Sequence, residues 1–233
     1  MSSTKPTISF FCPAYNDEEN LPILIPKSVK VLKEVSSKFE ILIVEDGSPD
    51  NTSGVADKLS RKYPFLKVIH HNRNLGYGAA LRKGFLRANK YNYVFFTDGD
   101  NQFDVSELKK MVLHLKKYDV VIGFRKNRAL SKKRLIQTFF YNWMVRTIFK
   151  LKVKDINCSM KLIKRSALDG IKLNSTSPFI EAELLVKLKS RGIKIKEVGV
   201  SHYPRLFGEA SGGKLSVIID TLRDMFILMK QKL

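Results

Sequence analysis

Cysteine and histidine are both scarce in this chain, with two and four among 233 residues. Cys12 and Cys158 lie far apart in apolar, strand-like surroundings. They form neither a disulfide framework nor a metal signature, and read as small core residues in a reducing compartment. His70 and His71 are neighbours in a strand-like run, so their rings face opposite sides and cannot chelate one ion. His114 falls on a helical stretch with surface character, and no zinc site or Ser-His-Asp triad is spelled out. No apolar run reaches the ~20 residues that span a bilayer. The opening MSSTKPTISFFC lacks the charged and apolar regions of a signal peptide. The expected location is therefore the cytoplasm, with the chain peripheral on the cytoplasmic membrane face. Repeats and low-complexity tracts are absent as well.

Acidic residues are few: 22 against 42 Lys plus Arg, a formal charge of +20. Such an excess suits an anionic partner, whether nucleic acid, an anionic membrane or a phosphorylated substrate. A hydrophobic content of 44% is ample for a real core.

Five short β-rich runs stand out: ISFFC (8–12), FEILIVE (39–45), LKVIH (66–70), YVFFT (93–97) and DVVIG (119–123). Helical segments separate them at 21–38, 52–63, 78–90 and 106–117. Strand alternating with helix predicts an α/β fold with a doubly wound, mostly parallel sheet, whose ligand sits beyond the carboxyl ends of the strands. The second half predicts a helix over 135–151, a strand over 158–164, a helix near 181–191, a strand over 194–204 and a last amphipathic helix over about 214–230. One domain over 1–233 is expected, with a soft division near residue 124 between a nucleotide-binding half and an acceptor-binding half.

The few carboxylates gather where the strands stop. Asp98 and Asp100 follow YVFFT; with extended geometry both point to one side and could hold Mg²⁺ or Mn²⁺ through hard oxygen ligands. Asp-x-Asp also makes an ordinary β-turn. Glu45-Asp46-Gly47-Ser48 follows FEILIV, where a Gly/Pro turn and a helix cap explain part of the pattern but not two adjacent carboxylates closing a buried strand. Gly76-Tyr77-Gly78 opens a helix and imitates a dinucleotide fingerprint, but lacks the third glycine and the first βα position. That helix start, with Arg73 before it, could meet a phosphate or a base.

Arg125, Lys126, Arg128, Lys132, Lys133 and Arg134 form a basic run leading into LIQTFFYNWMVRTIFKL. There Ile136, Phe139, Phe140, Trp143 and Ile148 recur at helical spacing. This stripe suits either a membrane interface, with the basic run toward phosphate headgroups, or packing on the sheet. Leu215, Ile218, Ile219, Leu222, Met225, Phe226 and Met229 make a comparable stripe that could serve membrane, dimer or core.

Taken together, PAYNDEENL (13–21), VEDGSPDNT (44–52), NRNLGYGAALRKG (72–84), TDGDNQF (97–103) and IEAELLVKLKSRGIKIKEVGVSHYPRLFGEASG (180–212) resemble the family 2 glycosyltransferases of GT-A fold. Within them the chain is similar to the polyprenyl-phosphate sugar synthases, such as the dolichyl-phosphate mannose and glucose synthases. The resemblance implies that Pro13, Tyr15, Asp17 and Glu18 lie along the donor nucleoside, with Glu45, Asp46, Arg73 and Gly76 near base, ribose or phosphate. It implies that Asp98 and Asp100 bind the metal and that Gln102 is the polar residue after them. Arg125, Lys133, Arg134 and Arg205 match positions that hold donor or acceptor phosphates. Glu181 falls where inverting relatives place a carboxylate near the acceptor, and Glu183 looks like a second, partly structural acid. Departures from the family pattern include Glu45 in place of the usual Asp, Gly99 in place of the commoner Ala, and Gln137, four residues after Lys133, where many relatives have Ser.

The implied activity is inverting, metal-dependent transfer of a sugar from a nucleotide-sugar to a lipid phosphate. Its catalytic residues are expected to be Asp100, Glu181 and Arg125, and its partners the donor, the lipid-phosphate acceptor and an anionic membrane surface. Were the acceptor a sugar hydroxyl, a base would be needed, with Glu181 as candidate. A nucleic-acid binder is disfavoured because carboxylates at the strand ends repel phosphates and no nucleic-acid motif appears. A nucleotidyltransferase usually carries a Gly-rich basic loop after the first strand, where this chain has Pro13-Ala14-Tyr15-Asn16-Asp17.

Overall fold

A computed structural model describes residues 5–127, 132–208 and 215–231, the side chains of 132–134 excepted. Seven strands form one sheet: β1 (Thr7–Ala14), β2 (Lys38–Glu45), β3 (Leu66–His70), β4 (Tyr93–Phe96), β5 (Val120–Arg125), β6 (Lys161–Lys164) and β7 (Ile195–Val200). Their order is β3-β2-β1-β4-β6-β5-β7. All pairings are parallel except those of β6, which runs antiparallel to β4 and β5. The chain leaves β1 toward β2 and β3 on one side and returns to β4 on the other, so the sheet's switch point lies between β1 and β4. Ligands of open α/β sheets bind in the crevice at that point.

Strand alternation sorts the core. Ile8, Phe10, Cys12, Ile41, Ile43 and Phe95 face a cluster shared with helices α1 (Leu21–Val35), α2 (Thr52–Lys62) and α4 (Leu108–Val112). Phe11, Leu42, Val94 and Phe96 face the opposite cluster, shared with α3 (Tyr77–Arg87), α5 (Lys132–Phe149), α6 (Ile180–Ser190) and α7 (Leu215–Met229). A sheet covered on both faces needs apolar residues at consecutive positions, which is why its strands read as runs rather than alternating patterns. Both cysteines are buried and free, as expected of core residues. The division at 124 falls inside β5, whose pairing with β7 continues to Arg125.

Two elements differ from expectation. The helix expected over 106–117 is a single 3₁₀ turn (Val105–Glu107) followed by the five residues of α4. Asp104 starts it by accepting the Ser106 N–H. Beyond Val112 the core contacts of Leu115 and Tyr118 keep the helical spacing, but the backbone is held by three-residue bonds, such as His114 N–H to the Met111 carbonyl and Lys117 N–H to the His114 carbonyl, so the segment continues as turns. The strand expected over 158–164 begins only at Lys161, because Cys158 and Ser159 belong to the turn before it.

The α5 stripe left open between membrane and core is exposed: Ile136, Phe139, Phe140, Trp143 and Ile148 all face outward, while Val145 and Asn142 are buried. On α7, Met225 and Leu228 are buried and Leu215, Ile219, Leu222, Phe226 and Met229 are exposed. No helix among the described residues is long and apolar enough to cross a membrane.

Candidate active site

The carboxyl ends of β1, β2 and β4 and the β5 end at Arg125 meet the start of β6 at one edge of the sheet. Here the turn after β4 does not remain extended. Gly99 sits so close to β1 that a Cβ would lie 2.7 Å from the Pro13 carbonyl oxygen and 3.1 Å from an Asp17 carboxylate oxygen. The chain therefore turns at Gly99 and the two acids take different partners. Asp98 accepts from the Tyr77 hydroxyl at 2.9 Å and the Ser159 hydroxyl at 2.6 Å. Asp100 accepts from the Gln102 N–H and pairs with Arg205 at 2.6 Å. Asn101, which follows, adopts a left-handed conformation that asparagine tolerates, and its amide donates to the Asn20 carbonyl.

Burial pushes the Asp98 carboxyl up to about 8, and Asp100 and Glu181 add to it, against the hydrogen bonds from Ser159 and Tyr77. Burial also raises Asp100, with Arg205 opposing, and lifts Asp17 to about 6 despite the Tyr15 N–H and the Asn20 amide. The site thus crowds carboxyls whose charged forms burial disfavours in the absence of a cation, inside a strongly basic chain. Among the described residues no cluster of three His, Cys, Asp or Glu could cage a metal. Asp98 and Asp100 offer the hard oxygen ligands that suit Mg²⁺ or Mn²⁺; each of their oxygens has a hydrogen-bond or ion-pair partner here, so an ion would share or replace those contacts and draw its other ligands from water and substrate phosphates.

Glu181 lies in the first turn of α6, only 3% exposed. One oxygen is paired with the Lys161 ammonium and the other lies 3.1 Å from the Tyr77 hydroxyl. Burial, then Asp98 and Glu181, raise Tyr77 well above the usual tyrosine range and keep it protonated as a donor. Glu183, two residues further on and so on the other side of the helix, instead accepts the Asn174 and Ser175 N–H groups and pairs with Lys187, which is a structural tie.

Arg125 is gripped by Asp155 through two bonds of 2.7 Å, and the pair raises its pKa against burial. Gln102 turns its amide to the Tyr203 carbonyl. Lys133 and Arg134 have side chains outside the described residues, as have Arg128 and the stretch 209–214.

The β2 acids are tied into the fold. Glu45 accepts the Ser48 N–H at 2.6 Å and lies 3.3 Å from His70. Asp46 takes His71 at 2.7 Å together with the Leu75 and Gly76 N–H groups, shaping the 71–76 loop. Partnered charge explains the two adjacent carboxylates. Glu18 binds the Asn51 N–H, and Tyr15 is exposed beside it. Arg73 lines a hollow of about 350 Å³ with His70, His71, Asn72 and Leu75. Sequence reasoning missed Tyr77, Ser159, Lys161 and Asp155, which hold the acids and Arg125 in place, and also the His–carboxylate pairs.

Comparison with known proteins decides the family, because the model of glycosyl transferase family 2 matches residues 9–171. The chain belongs to glycosyl transferase family 2. This glycosyltransferase is 26% identical to the dolichyl-phosphate beta-glucosyltransferase of Saccharomyces cerevisiae, over 93% of this chain and 71% of that one. It is 29% identical to the dodecaprenyl-phosphate galacturonate synthase of Rhizobium johnstonii, over 95% and 67%. Among solved structures it resembles glucosyl-3-phosphoglycerate synthase from Mycobacterium tuberculosis in complex with Mn²⁺, UDP and phosphoglyceric acid. That match has a TM-score of 0.77 at 16% identity and covers 97% of this chain and 80% of that one. The family 2 glycosyltransferase therefore has the expected GT-A fold.

Proposed function

We propose that this glycosyltransferase moves a sugar from a nucleotide-sugar to the phosphate of a polyprenyl lipid, with inversion and with Mg²⁺ or Mn²⁺ at Asp98 and Asp100. The observation that carries the reading is the state of Glu181. Lys161 holds one of its oxygens inside the fold, and the other lies 3.1 Å from the Tyr77 hydroxyl, so the carboxylate is placed as the ion-pair partner of a buried ammonium rather than as a free base. A phosphate monoester arrives already ionised and needs cations rather than a base. Arg125, fixed by Asp155, and Arg205 supply them at the same edge of the site. The Arg205 Nε is buried without a hydrogen-bond partner among the described residues, which suits a phosphate oxygen. The lipid-phosphate names of both relatives support the same acceptor.

In this reading Pro13, Tyr15, Asp17 and Glu18 line the nucleoside, and Arg73 and the 71–76 loop held by Asp46 meet the base and ribose. Asp98 and Asp100 would hold the divalent ion, which when bound would supply charge to stabilise the departing diphosphate. Arg125 and Arg205 orient the acceptor oxygen toward the face of the sugar opposite the nucleotide, and Lys133 and Arg134 extend the acceptor phosphate site. An open groove of about 610 Å³ along α5, lined by Leu135, Ile136, Phe139 and Phe140 with Arg146 and Lys154, suits the apolar tail. The exposed α5 and α7 faces would rest on an anionic membrane, on its cytoplasmic side.

Incubation with labelled nucleotide-sugars and a polyprenyl phosphate tests the proposal. Label is expected in the lipid extract, lost with EDTA; label reaching only a glycan hydroxyl acceptor would replace this reading with the hydroxyl one.

A further inference from the structure

Lys161 is a lysine with no exposed surface, in the second-innermost position of a seven-stranded sheet flanked by β4 and β5. Its ammonium has three partners: the Ile156 carbonyl at 3.0 Å, the Cys158 carbonyl at 2.7 Å and the Glu181 carboxylate. It also lies 5.4 Å from the centre of the Phe96 ring, at the register position opposite it on β4. Three acceptors match the three donors of an ammonium, so the charge is fully committed inside the fold. What it ties down is the 155–159 turn, and both ends of that turn carry a residue that holds part of the active site. Asp155, next to Ile156, grips Arg125 through two bonds and also accepts its backbone N–H. Ser159, next to Cys158, donates to Asp98.

We propose that Lys161 is a positioning residue whose ammonium, anchored on Glu181, fixes the 155–159 turn and thereby sets the placement of Arg125 relative to Asp98. The inference rests on the lipid-phosphate reading, in which Arg125 meets the acceptor and Asp98 the donor's metal. One buried cation then aligns both substrates, since each end of the turn fixes one of the groups they meet. Displacing a reacting group by about 1 Å can cost on the order of a hundredfold in rate.

Lys161→Met keeps the length of the side chain and removes all three donors, but it strands Glu181 as an unpaired buried charge and can fail to fold. The deciding variant is therefore Lys161→Met combined with Glu181→Gln, compared with Glu181→Gln alone. The first readout is kcat and KM for a polyprenyl phosphate, taken separately. The second is half-saturation by Mn²⁺ in the presence of a nucleoside diphosphate, followed by electron paramagnetic resonance. The proposal expects the double variant to lose tenfold or more in kcat/KM for the acceptor and to need about tenfold more Mn²⁺, at an unfolding temperature close to that of Glu181→Gln. Values within about threefold of Glu181→Gln in both readouts would make Lys161 a packing residue and overturn the proposal. Absence of lipid transfer by the parent enzyme would remove the acceptor reading, and Lys161 would then be judged on Mn²⁺ half-saturation alone.

Discussion

Glu181 shows how little a residue type says before its partners are known. A carboxylate near an acceptor reads as a general base, yet here one oxygen is committed to the buried Lys161 ammonium and the other lies against the Tyr77 hydroxyl. Loss of a true general base slows turnover by roughly 10² to 10⁴. Glu181→Gln is instead expected to lower kcat with polyprenyl phosphate by less than about tenfold, as steady-state kinetics would measure; a thousandfold loss would restore the base. Gly47 presents a backbone requirement of the same local kind. Its φ is +63° and a Cβ would lie 2.3 Å from the Arg73 carbonyl carbon. Gly47→Ala should lower stability by about 1–3 kcal/mol, visible as a reduced urea midpoint at unchanged slope. Asp98 and Asp100 were legible as site residues because charge at a strand end stands out, whereas Arg125 and Arg205 entered as phosphate-holding candidates through the family resemblance. Lys161 was not legible, since a lysine in a strand ordinarily marks the solvent side. The signal was available: a sheet covered on both faces has no solvent side, and Lys161 shares the parity of the core residue Ile163.

Among the elements, the strands and most helices followed from apolar runs and repeat lengths, whereas which face of α5 and α7 meets the core did not. Periodicity gives a stripe but not its neighbour, and α5 turns Phe139 and Trp143, 61% and 56% exposed, away from the sheet. Replacing Phe139 and Phe140 with Glu should abolish co-flotation with anionic liposomes at low salt while leaving the unfolding temperature near the parent value; flotation unchanged by the substitutions would remove α5 as the contact. The start of α6 makes a second prediction. Burial raises Glu183, but Lys187 and the Ser175 and Asn174 donors outweigh it and hold the carboxyl below its ordinary range. A group lowered on folding contributes stability that is present above its unfolded pKa and lost as pH falls through the folded one. The stability deficit of Glu183→Gln should therefore be full at pH 7 and shrink below about pH 4.3, followed by thermal unfolding across pH. A deficit constant down to pH 2 would contradict the assignment.

For the whole molecule, the order β3-β2-β1-β4-β6-β5-β7 explains why so few acids suffice. The turns after β1 and β4 open at the same edge, so Asp17 and Asp100, far apart in the chain, come close enough to feel each other's charge without a dedicated cage. They belong to a chain of formal charge +20, a field that in the proposed reading would draw anionic donor and acceptor toward the acids and their cation. The central claim is that Asp98 and Asp100 grip a divalent ion that grips the donor's diphosphate. Calorimetric titration of UDP and GDP into the parent, with Mn²⁺ and then with excess EDTA, and into Asp100→Ala tests it most directly. One nucleotide should bind the parent only with Mn²⁺ and should bind Asp100→Ala at least tenfold more weakly; equal affinity in EDTA, or in the variant, would contradict it.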